Sequence, residues 1–510
     1  MLVKYQKWLI LIAVTLGLSM DLLDMTVVNV AIPKIMMDFG ANIHSAQYIV
    51  TAYMVTIGLF EPITAYWADT HGMKKLYLIS LVVFTIGSIS SALAWSIESL
   101  ISFRILQAIG GGMIMPLALS IVKNTFDKKE LPLAMGMMGI PLLLAPSIGP
   151  TVGGYLVEYQ NWRGIFWLNL PLGLLAIYFS YILLNEFPTV KKKLDLWGFI
   201  LSGTGFATLF LAITNGPTDG WSSFKIVSLL LVAGISLSLF LIVETQNPEP
   251  LLNLNIFRNR IYVASIFTTF FFMIALFGSL FLIPLFMQEL RALGPVETGM
   301  LLIPEFIGAV IFIPVSAVVL PRVGASVLTV IGILLMSLGS YPLIHIQVLT
   351  ELHVVERDLF IIGCGLGLGI MPSITLAYGS LPEPLVNQGS AFLNLARQLG
   401  SALGVSVLTS VIQQYTPVYL QNLLDKATPW SDTTLILQQL TAHFQSIGYT
   451  WAQSRQLSVN EVVSLFQQQA SVTAFQDAFG ISTMLGLLGI ISALFLHQRK
   501  SRKTTDNDTL

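Results

Sequence analysis

Runs of about twenty apolar residues follow one another along nearly the whole chain, separated by short polar or Gly/Pro-containing breaks. A helix rises about 1.5 Å per residue, so each run can cross the ~30 Å apolar core of a bilayer. The pattern predicts fourteen spanning helices, near residues 8–32, 46–67, 75–94, 100–123, 132–157, 162–184, 196–214, 224–244, 261–288, 296–320, 326–346, 357–379, 389–412 and 475–497. The first run is too long and too acidic for a cleaved signal peptide and is read as a span. One connection is long, residues 413–474, and it is glutamine-rich yet periodic. Ile436, Leu440, Phe444 and Ile447 share one helical face, as do Val462, Phe466 and Ala470, so two amphipathic helices broken near Gly448 are expected.

Composition agrees with this reading: of 510 residues, 55% are hydrophobic and 10% charged, and the mean hydropathy is +0.77. That is an all-α integral membrane protein, not a soluble one. A net charge of −1 offers no basic field for nucleic acid. The single cysteine, Cys364, excludes an internal disulfide and any CxxC pair. There is no GxxxxGK[ST] phosphate loop and no HExxH, so neither ATP as an energy source nor a metal or other cofactor is expected. With the N-terminus inside, seventeen Lys and Arg fall in cytoplasmic segments and seven on the opposite side. That imbalance predicts cytoplasmic N and C termini. Arg104 and Arg397 lie within spans.

Two stretches look like copies. Gly110-Gly-Gly-Met-Ile-Met-Pro116 in the fourth span is echoed by Gly367-Leu-Gly-Ile-Met-Pro372 in the twelfth, about 250 residues on. A six-helix unit used twice predicts an N-terminal half over 1–184 and a C-terminal half over 261–510, the latter including the 413–474 hairpin loop. Residues 185–260 then form an inserted helix pair with its linkers. Repeated halves with a site at their interface are a transporter pattern.

The candidate chemistry lies inside the spans, at Asp21, Asp24, Glu61, Arg104 and Glu305. Asp21 and Asp24 are three residues apart and share one helical face. An acid at bilayer depth costs a few kcal/mol, so such residues face a bundle interior or a wet cavity, where they carry protons or cations or hold a structural pair. A carboxylate facing a partly dry cavity could load a proton on one side and release it on the other, in competition with an organic cation. Gly149-Pro150-Thr-Val-Gly153-Gly154 predicts a bent, closely packed fifth span. The aromatic run Phe267, Phe270, Phe271, Phe272, Met273, Phe277 and Phe281 offers a pliable lining for flat apolar cations.

These residues resemble a known family, the fourteen-span drug:proton antiporters of the major facilitator superfamily, of the EmrB/QacA type. Leu23-Asp24-Met-Thr26-Val-Val-Asn29-Val-Ala-Ile-Pro33 is similar to the first-span motif, and Leu100-Ile-Ser-Phe-Arg104-Ile-Leu-Gln107-Ala-Ile-Gly110 to the fourth-span motif. Gly149 to Gly154 resembles the antiporter motif, Trp162-Arg163-Gly-Ile-Phe166-Trp-Leu-Asn169-Leu-Pro171 the start of the sixth span, and Asn394-Leu-Ala-Arg397-Gln398-Leu-Gly400 the thirteenth. The loop after the second span departs from the family's GxLADRxGRK: Asp69, Gly72 and Lys74 remain, while two arginines are replaced by Thr70 and Met73. The resemblance implies a major facilitator fold, a proton-relay role for Arg104 and a cytoplasmic latch around Asp69, Gly72 and Lys74.

The combined expectation is a proton-coupled secondary exporter of hydrophobic, cationic toxic compounds, multi-pass in the cytoplasmic (inner) membrane and not an enzyme. Export of one endogenous metabolite or lipid is the alternative; a membrane enzyme or receptor is disfavoured by the absence of a nucleophile–base constellation. Expected partners are small hydrophobic or cationic substrates, protons and the lipid bilayer. The EmrB-like features of the hairpin, Gln469-Ala470 and Asp477-x-Phe479, add a periplasmic adaptor and an outer-membrane channel.

Overall fold

A computed structural model gives the fold and describes residues 2–41, 43–127, 129–190, 195–248, 250–382, 385–426 and 432–496. In chain order the helices are α1 (Leu2–Phe39), α2 (Ile43–His71), α3 (Met73–Ala92), α4 (Ile97–Thr125), α5 (Leu131–Tyr159), α6 (Gly164–Trp167), α7 (Asn169–Leu183), α8 (Leu196–Asp219), α9 (Phe224–Gln246), α10 (Arg260–Arg291), α11 (Pro295–Leu301), α12 (Ile303–Val323), α13 (Ala325–Ser340), α14 (Leu352–Ser380), α15 (Val386–Lys426), α16 (Asp432–Ser446) and α17 (Trp451–Leu494). No strand occurs among the described residues. Thirteen helical stretches among them are long and apolar enough to cross a membrane. The 29-residue α5 occupies the place of the fifth apolar run. Of the basic residues behind the expected orientation, Lys128, Lys191, Lys192, Lys193, Arg499, Lys500, Arg502 and Lys503 lie outside the described residues.

Local chemistry sets the helix ends. Ser96 and Ser99 form a reciprocal capping box at the start of α4, Asp195 caps α8 and Asn259 caps α10, each answering amides that have no partner within the helix. Gly72 (φ +98°) separates α2 from α3, and Gly324 (φ +90°) separates α12 from α13.

The helices pack in two groups with one pattern. α1 lies against α5 and α7 as α10 lies against α15 and α17. α4 packs on α2 and α3 as α14 packs on α12 and α13, and the contact of α3 with α7 is matched by that of α13 with α17. The groups meet where α5 packs along α11, α12 and α14, and where α15 meets α2 and α4. α8 pairs with α9 and wedges against both α2 and α15.

The glycines of the two echoed motifs serve this packing. Consecutive helical residues point about 100° apart, and Gly110, Gly111 and Gly112 face three ways. A Cβ on Gly110 would strike the α3 backbone at Phe84, one on Gly111 would strike Asp21 and Tyr53, and one on Gly112 would strike the α2 backbone at Ile57. Three different helices therefore lie close to α4 within one turn.

Beyond the spans the expected boundaries are too short. α15 continues past residue 412 to Lys426, and α17 is one 44-residue helix from Trp451 to Leu494. The hairpin is thus α16 together with extensions of two spanning helices. The break expected near Gly448 is present, where φ is +105°.

Candidate functional site

α1 and α4 bring Asp24 and Arg104 into an ion pair, although they lie 80 residues apart. Both are almost wholly excluded from solvent, at 3% and 1% exposure. Arg104 Nη1 donates to Asp24 Oδ2 and, at 2.9 Å, to Gln107 Oε1 one turn further along α4. Asp24 Oδ1 accepts from Gln107 Nε2 at 2.9 Å and from Asn169 Nδ2, at the start of α7, at 2.7 Å. Three donors aimed at one carboxylate match its acceptor-only chemistry. Asn169 is itself fixed by Ser88 Oγ at 3.0 Å. The Arg104 guanidinium lies 3.9 Å from the centroid of the Tyr53 ring, a cation–π contact, and Tyr53 donates to Asp21 Oδ1 at 2.9 Å. Asp21 and Asp24 are thereby joined through Tyr53 and Arg104.

A second cluster joins the two groups of helices. Glu61 of α2, fully buried, accepts from Asn394 Nδ2 of α15 and from Gln398 Nε2 at 3.1 Å. Asn394 Oδ1 in turn accepts from Arg397 Nε and Nη2 at 2.9 and 2.6 Å. The same side of α15 continues the seam: Ser390 bonds Ser120 of α4 at 2.8 Å, and Asn387 Nδ2 donates to Asp69 Oδ1 at the end of α2. Residues 387, 390, 394 and 398 follow helical spacing, so one stripe makes every contact.

Arg397 and Asn394 also line a small cavity between the groups, whose other walls are chiefly Leu18, Met115, Met135, Met138 and Met371. The aromatic run of α10 does not line it; Thr269 is the α10 residue that does. Phe272 and Met273 are buried in helix packing, and Phe267 and Phe271 face an outer groove. A run all round one helix mostly faces other helices or lipid, and the pliable lining of this cavity comes from methionines of α4, α5 and α14.

Glu305, in the first turn of α12, is buried away from Asp24, where the α12 backbone meets Gly363 of α14. Gly149 and Gly153 let α5 approach α1: a Cβ on Gly149 would strike Thr26, and one on Gly153 would lie 3.2 Å from the Val27 carbonyl. Thr26 Oγ1 donates to the Ala145 carbonyl at 3.1 Å across this contact. Gly154 is buried, and the side chain of Pro150 lies outside those described. At the junction of α2 and α3, Glu186 from the linker after α7 caps α3, accepting from the amides of Lys74 and Lys75 at 2.9 and 3.1 Å. The Lys74 ammonium lies over the Tyr181 ring, 5.4 Å from its centroid.

The amides Gln107, Asn169, Asn394 and Gln398 lie inside the sequence motifs, whose pattern alone assigns them no role. A polar amide inside an apolar run was the available signal. Tyr53 gave none, because an aromatic in a span is ordinary.

The sequence profile of the Major Facilitator Superfamily matches residues 14–405, more than three quarters of the chain. The chain belongs to the Major Facilitator Superfamily. It is a transporter and a multi-pass membrane protein. Its relatives in the superfamily include the uncharacterized MFS-type transporter YhcA of Bacillus subtilis, 26% identical over 97% of this chain and 93% of that one. The multidrug resistance protein Stp of Mycobacterium tuberculosis is 32% identical over 82% of this chain and 79% of its own. The multidrug transporter MdtP of Bacillus subtilis is 31% identical over 84% and 79%. Among solved superfamily structures, a double-tryptophan mutant of XylE superposes with a TM-score of 0.61 at 13% identity, covering 97% of each chain.

Proposed function

We propose that the chain is a fourteen-span, proton-coupled exporter of hydrophobic, cationic compounds, working by alternating access in the cytoplasmic membrane with both termini inside. The halves are residues 1–184 and 261–510, with 185–260 inserted. The observation that carries the reading is the buried Asp24–Arg104 pair with its amide cage. A proton on Asp24 removes the charge that holds the guanidinium, so loading it forces α1, α4 and α7 to rearrange around one another. Entry of that proton down the membrane potential supplies about 2.3 kcal/mol per 100 mV. Glu61 is placed to pass such a change to the other half, since Asn394 links it to the cavity-lining Arg397. Multidrug names among relatives at about 30% identity, together with the methionine-walled cavity, support a pliable substrate site.

The hairpin exposes Leu435, Ile436, Ile447 and Trp451, which suits a periplasmic adaptor leading to an outer-membrane channel. The test of the coupling reading is transport of a lipophilic cation such as ethidium in proteoliposomes under an imposed pH gradient. Asp24→Asn is expected to bind substrate yet lose gradient-driven accumulation. Accumulation at the unsubstituted level would refute the role given to Asp24.

A further inference from the structure

The inserted helix pair carries an arrangement that the transport reading does not use. Asp195, the cap of α8, and Glu244, in the last turn of α9, are 7% and 4% exposed. Their carboxylates converge on Gly198: the position a Cβ would take there lies 2.6 Å from Asp195 Oδ2 and 2.8 Å from Glu244 Oε1. One oxygen of each is satisfied, since Asp195 Oδ1 accepts from the Gly198 amide at 2.8 Å and Glu244 Oε1 from the Leu252 amide at 3.4 Å. The others, Asp195 Oδ2 and Glu244 Oε2, are buried without any hydrogen-bond partner. The surroundings are apolar, with Phe240 of α9, Leu251 and Leu252, Trp67 of α2 and Phe392 of α15 in one cluster. No Lys, Arg or His is paired with either acid among the described residues. The other ionisable groups at this end of α2 are Tyr66, in the same apolar cluster, Asp69, bonded to Asn387, and His71, the exposed last residue of the helix, whose Nδ1 lies 2.8 Å from Thr70 Oγ1.

Two carboxylates facing each other in an apolar setting disfavour a second charge, and a proton held on Glu244 supplies a donor where buried carboxylate oxygens lack one. We propose that Asp195 and Glu244 form a proton-binding dyad in the inserted helix pair, distinct from Asp24, whose occupancy fastens the linkers of that pair across the seam between the two halves. Both linkers reach that seam. Val190, before α8, donates from its amide to the Asp69 carbonyl at 2.8 Å. Asn253, beside the Leu252 held by Glu244, donates from its amide to Gln388 Oε1 at 2.8 Å, next to the Asn387–Asp69 bond. One linker therefore grips α2 and the other α15, the two helices that must part when the seam opens. Loss of the proton as pH rises leaves two facing anions, whose repulsion in a low dielectric pushes Glu244 from Leu252 and loosens the second linker.

The test is hydrogen–deuterium exchange of the full-length protein in lipid nanodiscs across a pH series, corrected for intrinsic exchange and read on peptides covering 185–195 and 247–256. The unsubstituted protein is expected to lose protection in 247–256 as pH rises. Glu244→Gln, neutral at every pH, is expected to lose that pH response and stay protected. Asp24→Asn is expected to keep the response, which separates the dyad from the coupling site. Lys191, Lys192 and Lys193 precede Asp195 in sequence, so their joint replacement by Gln is included and is expected to leave the response intact. An unchanged response in Glu244→Gln, its loss in the lysine variant, or its reproduction by added Na⁺ or Mg²⁺ at fixed pH would overturn the proposal. Thermal unfolding of each variant identifies any that fails to fold; Asp195→Asn then supplies the second neutral dyad, with the same outcomes expected.

Discussion

Around Arg104 every polar neighbour is committed, and this sets what its replacement does. Arg104→Ala leaves Asp24 buried with two amides and no cation, and breaking a buried pair from one side costs about 3–5 kcal/mol. Arg104→Lys keeps a charge, but a shorter-reaching ammonium has no flat guanidinium to lie on Tyr53 while it donates to Asp24 and Gln107. The expected order of thermal stability in detergent is unsubstituted, then Lys, then Ala. Asp24→Asn combined with Arg104→Ala should recover part of the loss in a double-mutant cycle; strict additivity would mean that the pair contributes no coupling. Asp24 and Arg104 were legible in the sequence because a charge in an apolar run is costly wherever it sits. The sequence allowed an acid to pair with Arg104 but could not say which of Asp21, Asp24, Glu61 and Glu305 it is. Helical spacing puts Asp21 and Asp24 on one face, but the contact of Asp24 with Arg104 depends on how α1 crosses α4.

Among the helices, the loop between α2 and α3 shows how a motif persists when its charges change. Gly72 has φ +98°, and a Cβ there would come within 2.6 Å of the Glu186 carboxyl group that caps α3. Gly72→Ala is therefore strained both in its own backbone and against its neighbour, and a loss of about 1–3 kcal/mol is expected from thermal unfolding. Gly234→Ala, at a position with nothing within 4 Å, serves as the control and should be neutral or slightly stabilising. The glycine was visible in the sequence, whereas Glu186 was not, because it stands 114 positions later in a linker with no periodicity of its own. The same limit explains the helix ends: hydropathy marks where a span leaves the apolar layer, not where its hydrogen-bond ladder stops. α15 and α17 therefore outran the expected boundaries.

For the whole molecule, the stripe on α15 is what holds the halves together along α2 and α4. Glu61→Gln with Asp69→Asn changes two of its acceptors, and the seam is expected to open more readily on the side where α2 ends. Spin labels on the ends of α2 and α15 would show this as a longer distance population; an unchanged distribution would place the latch elsewhere. One glycine motif and its echo pointed to a repeat, and the contacts of α1 with α5 and α7 resemble those of α10 with α15 and α17. The place of α8 between α2 and α15 was not legible in the sequence, since an apolar run does not say which helices it meets. One further consequence follows from the length of α17. Its 44 residues form a rod of about 66 Å, roughly twice the apolar thickness of a bilayer, with no break between the bundle and the hairpin. A rod cannot tilt at one end alone. In the proposed alternating-access cycle, a rocking of the last helix by a few degrees would become a sweep at Trp451, and the hairpin would act as a pointer whose bearing follows the way the transporter faces.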